Sequence, residues 1–85
     1  MEARANLMGA SNVRPSWRKG KKLAVDYNGH VVHFGAAGMS DYTQHRDPKR
    51  RLDYRRRHGA IRTKDGRLAY MVEGSPAYFS WYLLW

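Results

Sequence analysis

The 85-residue sequence has no cysteine, which excludes disulfides and thiolate metal sites. Its four histidines, His30, His33, His45 and His58, lack the paired spacing of a zinc site, so no metal and no cofactor is expected. No run approaches the roughly 20 apolar residues that a membrane helix needs. The opening stretch "MEARANLMGASNVRPSW" has no long apolar segment, so no secretory leader is expected and an intracellular setting is the default. Acidic residues are scarce as well. Seven Asp and Glu stand against sixteen Lys and Arg, a net charge of +9. On so small a body this imbalance points to an anionic partner: an acidic protein face, nucleic acid or a membrane surface.

A chain of this length makes one domain. It buries only about 60–65% of its unfolded surface, so support from an assembly or a docked partner is expected. Residues 1–21 mix Gly, Ser, Asn and Pro with cations and read as a flexible basic arm. Residues 22–85 read as a single small α+β domain. Within it, "KLAVDYNGHVVHF" predicts a β-hairpin turning at Asn28–Gly29. That turn sets Tyr27 opposite His30, Val25 opposite Val32 and Leu23 opposite Phe34. Leu23, Val25, Tyr27, Val32 and Phe34 then form the core face, while Asp26 and His33 become neighbours able to pair on the other. Gly35 and Gly38 read as a tight exit from the hairpin, without the spacing of a phosphate-binding loop. A shorter second hairpin is expected around Lys64-Asp65-Gly66, with an irregular extended pair as the alternative.

"DPKRRLDYRRRHG" is the strongest helix signal. Asp47 is the N-cap, Pro48 the first helical residue and Gly59 the stop, with Arg55, Arg56, Arg57 and His58 suiting the last turn. Asp53 is at helical spacing to pair with Arg56 or Arg57. The cations encircle this helix, yet Asp47, Arg51, Tyr54 and His58 fall on one side. That polar face, joined by His45 just upstream, is expected to pack on the hairpin domain, with Arg51 and Tyr54 lying flat and His58 partly buried and locally bonded. No nucleophile, metal set or pocket loop accompanies it, so no catalytic residue is assigned and no enzymatic role is expected. Lys49, Arg50, Arg55, Arg56 and Arg57 are expected to face outward toward carboxylates or phosphates.

The last stretch, "SPAYFSWYLLW", repeats the cap-plus-proline opening at Ser75-Pro76 and predicts an aromatic C-terminal helix. Tyr78, Trp81, Tyr82 and Trp85 share one side, Phe79 and Leu83 another. Part of this helix must cover the sheet. The remainder, Tyr78, Trp81 and Trp85 in particular, is expected to anchor a partner together with Arg50, Arg55, Arg56 and Arg57.

The pattern Phe34-Gly35, Gly38, Asp41-Tyr42-Thr43, His45, Asp47, Arg51, Tyr54 and Arg57-His58, closed by Ser80-Trp81 and Leu84-Trp85, resembles a family of small uncharacterised proteins encoded by large DNA viruses of algae and protists. The resemblance spans roughly residues 22–85 and brings no activity with it. It implies a viral protein, present in the virion and intracellular during assembly. The reading that results is a non-enzymatic minor capsid or cement-type protein joining larger coat proteins. The alternative is a virion-packaged nucleic-acid-binding protein that contacts phosphates through outward Arg and Lys.

Overall fold

The computed structural model describes residues 1–85. Its centre is the expected hairpin. Asn28 and Gly29 both take positive φ, 49° and 77°, as the tight hairpin turn requires. Strands β2 (Lys21–Tyr27) and β3 (His30–Ala36) pair antiparallel from this turn, with Tyr27 opposite His30, Val25 opposite Val32 and Leu23 opposite Phe34, as the sequence predicts. Val25 and Phe34 are fully buried; Leu23, Tyr27 and Val32 pack against the same core.

The first residues are not a free arm. Glu2–Leu7 form helix α1, and Ala10–Pro15 form strand β1, which pairs antiparallel with β2 to complete a three-stranded sheet of order β1-β2-β3. A register shift between Ser11 and Arg14, with Asn12 at φ 59°, turns two backbone N–H groups out of the ladder. Both donate to the Glu2 carboxylate, from Asn12 at 2.6 Å and Val13 at 2.8 Å. This clamp seats α1 so that Ala5 and Ala10 are buried in the core. The small apolar residues that do this carry little periodic signal, which is why the segment reads as an arm.

The second sheet face is also partly closed. Ala24 and His33 are buried, with Trp17 edge-on to His33 at 4.7 Å. The expected Asp26–His33 pair does not form. Asp26 instead takes Arg14 at 3.0 Å and Asn12 at 3.2 Å, and His33 bonds Ser16 through Nδ1. The added strand supplies Arg14 and Asn12, and the turn that follows it supplies Ser16.

After the sheet, Asp41 and Gln44 form a capping box around the short helix α2 (Tyr42–His45). Helix α3 (Pro48–His58) follows, capped by Asp47 as expected. The predicted second hairpin is an irregular extended pair. A single bridge joins Arg62 to Leu68 around the Lys64–Gly66 turn, and a 3-10 turn at Ala69–Met71 ends it. Ser75 then caps helix α4 (Pro76–Phe79), which continues with wider, π-type hydrogen bonding over Ser80–Leu84. Phe79, Leu83 and Leu84 lie over the sheet and complete the core with Val25 and Phe34. The result is a mixed α/β fold: one antiparallel sheet with several short helices. None of the helices is long and apolar enough to cross a membrane.

Candidate functional site

Helix α3 is nearly all polar and needs a scaffold to hold it. The face predicted from spacing packs within the domain, against the C-terminal helix. Tyr54 is its buried residue and lies flat between two rings, His58 at 4.0 Å and Trp85 at 4.2 Å, within 16° and 4° of parallel. His45 meets the far side of Trp85 at 5.3 Å, so a column of four rings runs from His58 to His45. His58 is therefore fixed by stacking rather than by a local hydrogen bond. Burial, then the charge of Arg57, pushes its imidazole below the ordinary histidine value. Burial raises the Tyr54 phenol above its own.

Polar contacts lock the column at His45 and at Trp85. His45 Nδ1 accepts from the Asp47 N–H at 2.9 Å, which fixes the α2–α3 corner. Arg51 Nε and the Arg55 guanidinium both donate to the Trp85 carbonyl oxygen, at 2.6 and 3.1 Å. Arg51 also lies over Tyr42 at 4.8 Å.

Arg55 is consequently not outward. It is half-buried, and its guanidinium lies 4.6 Å above the Trp81 ring, which stacks on Tyr70 from the other side at 4.0 Å. Trp81 is 9% exposed. Trp81 thus belongs to the fold's own interior, while Trp85 is half-buried against Tyr54, and both bind α3 to the rest. Tyr78 is half-buried, packed edge-on against Phe79 and Tyr82. Helix α3 needs an apolar backing that its own residues cannot supply, and the C-terminal rings provide it. Asp53 joins none of the chain's three ion pairs, so the expected pairing with Arg56 or Arg57 is not made.

Arg50, Arg56 and Arg57 are exposed as expected. Together with Lys21 they line a cleft of about 780 Å³ between α3, the start of β2 and the C-terminal helix, whose other walls include Asp53, Pro76, Ala77 and Leu84. None of these four cations takes part in an ion pair. Lys22, at the cleft's edge, is fully engaged. Its ammonium donates to the Met39 carbonyl at 2.5 Å, to Asp41 at 2.6 Å and to Gln44 at 2.8 Å. Burial alone would raise Asp41, but hydrogen bonds from Lys22 and Thr43 and the Lys22 charge hold it below the usual carboxylate range. No group of three His, Asp or Glu converges as a metal ion would need.

One candidate escaped the sequence reading. Trp17 is 66% exposed and sits within "RPSWRKGKK", a basic run; the interleaving of an aromatic with cations was the available signal.

Fold and site define a small basic α+β module whose cationic helix is backed by aromatic rings. The chain belongs to a family of unknown function (DUF5754), whose model matches residues 11–58, more than half of the sequence. The matched range takes in nearly all of β1, with β2, β3, α2 and α3, and ends before the irregular pair and the C-terminal helix. No curated protein and no solved structure matches the chain.

Proposed function

We propose that this chain is a non-enzymatic structural component of a virus particle, a minor capsid or cement-type module that docks on acidic faces of larger coat proteins. The viral setting comes from the sequence resemblance alone. The observation that carries the docking mode is the cleft: four cations without carboxylate partners, set beside Pro76, Ala77, Leu84 and two acids, Asp53 and the Lys22-paired Asp41. Mixed apolar and charged walls suit a protein surface, where apolar burial and Arg–carboxylate contact act together. With Trp81 turned inward and Trp85 left as part of the cleft wall, the cleft replaces the aromatic helix as the partner-binding surface in this reading.

Carbodiimide cross-linking in purified particles tests it. Lys21 and Lys49 are expected to join Asp or Glu of a coat protein, and Arg50→Glu with Arg57→Glu is expected to prevent incorporation. Absence of the chain from particles, or incorporation indifferent to that charge reversal, overturns the proposal.

A second reading has the same cations contacting nucleic-acid phosphates, as +9 on one domain favours. It predicts binding that weakens steeply with salt.

A further inference from the structure

We propose that Trp17, with Arg14, Arg18 and Lys21 around it, is a stacking platform for single-stranded nucleic acid. The inference rests on the second reading above and gives it a specific site. The backbone presents the ring deliberately. Ser16 N–H donates to the Lys22 carbonyl and Lys21 N–H to the Arg18 carbonyl, each at 3.1 Å, closing the turn between β1 and β2. Ser16 Oγ also accepts from the Arg18 N–H at 3.0 Å and bonds His33 Nδ1 at 2.8 Å.

The indole is braced at 4.7 Å by His33, nearly perpendicular to it, and the Arg14 guanidinium lies over one face, 5.1 Å from its centroid, so the opposite face is the one offered to a partner. Arg14 is itself held by Asp26 at 3.0 Å. Two-thirds of the tryptophan nevertheless stays open to solvent, whereas Trp81 is 9% exposed. A large aromatic left open at that level, with its orientation fixed by neighbours, is prepared for a flat partner.

The surroundings specify which one. Arg18 follows the ring in the chain and is tied to Ser16 Oγ, the turn hydrogen bond from Lys21 N–H to the Arg18 carbonyl brings Lys21 beside it, and Arg14 lies over the ring, so three cations gather at the platform. Cations beside an open aromatic face match a base next to its phosphates, with stacking and charge each contributing. A duplex keeps its base faces stacked internally, so a single strand is the fitting ligand. An acidic protein segment would satisfy the cations but leave the ring without a stacking partner.

The test uses the full chain, a short oligothymidylate, the matching duplex and polyglutamate. The single strand is expected to bind best and to quench tryptophan fluorescence. Trp17→Ala is expected to weaken binding about ten-fold, the range of one lost base stack, with the salt slope unchanged. Trp17→Phe keeps an aromatic face. It is expected to bind within about three-fold of the parent, since stacking needs only a π-face, while the quench is lost. That readout holds even where the alanine variant folds poorly. Unchanged affinity in Trp17→Ala, a persistent quench in Trp17→Phe, or a preference for duplex or polyglutamate overturns the platform while leaving phosphate contact intact. Failure of every oligonucleotide to bind at low salt overturns both.

Discussion

Lys22 shows how single residues hold this small fold. Its ammonium has three N–H donors and meets three acceptors, one of them the Asp41 carboxylate, itself 3% exposed. Lys22→Met keeps most of the stem but strands a buried charge, so a loss of about 3–5 kcal/mol in urea unfolding at neutral pH is expected. The pH dependence gives a second readout. In the parent, Asp41 is held below its ordinary value, so its contribution is present above about pH 4 and disappears as pH falls through the folded value. Without Lys22, only the Thr43 hydrogen bonds still oppose burial, so Asp41 is held down less, and acid should narrow the gap between variant and parent. Histidines act at milder pH. His33 and His58 are both held below their ordinary value, by burial first and by neighbouring arginines second. The unfolded chain therefore takes up protons first as pH drops below about 6.5, and stability should fall from there until the folded imidazoles protonate. Replacing both with Asn should flatten that slope, measured as midpoint against pH. A parent midpoint that holds steady through this range would contradict the assignment.

At the level of elements, two glycines of the hairpin separate conformational cost from packing cost. Both Gly29 and Gly35 sit at positive φ, 77° and 81°. A Cβ on Gly29 meets nothing, so Gly29→Ala should cost about 1 kcal/mol from backbone strain alone. A Cβ on Gly35 would lie 2.8 Å from Leu84 Cδ1 and 3.1 Å from Lys22 Cβ, and the Gly35 N–H donates to Ser80 Oγ. Gly35→Ala should therefore cost about 3 kcal/mol, strain plus overpacking, in the same chemical denaturation experiment. Equal costs would mean that the C-terminal helix does not press on β3. The contrast also marks what the sequence made legible. Local chemistry was readable: the Asn28–Gly29 register, the Asp47 and Ser75 caps and the face of α3 all follow from spacing within a few residues. Long-range choices were not. Nothing near Glu2 announces that it will accept two N–H groups from a bulge in β1, and nothing in "SPAYFSWYLLW" says which rings turn toward α3. The site was half legible for the same reason. Arg50, Arg56 and Arg57 were placed outward correctly, whereas Arg55 was drawn inward by Trp81, a partner 26 positions away in the chain.

For the molecule as a whole, charge sets the terms. Only three of sixteen Lys and Arg sit in an ion pair, and the fold spans just 33 × 32 × 26 Å. At about 0.01 M salt the screening length is about 30 Å, so every cation feels the others; at about 0.1 M it shrinks to about 10 Å. Self-repulsion destabilises a compact state, so the melting temperature should rise as sodium chloride increases over that range. The cleft adds a local part to this general effect. Lys21, Arg50, Arg56 and Arg57 converge on it without carboxylate partners, so a divalent anion should be favoured there beyond simple screening. Sulfate at matched ionic strength should raise the melting temperature further than chloride. Sulfate also strengthens apolar burial in any protein, so the decisive comparison is with Arg50→Gln/Arg57→Gln. That variant should melt higher than the parent at low salt, because two repelling charges are gone, yet gain less from sulfate over chloride. If parent and variant gain equally, the anion is acting through the solvent, and the cleft is a solvated basic surface with no site in it.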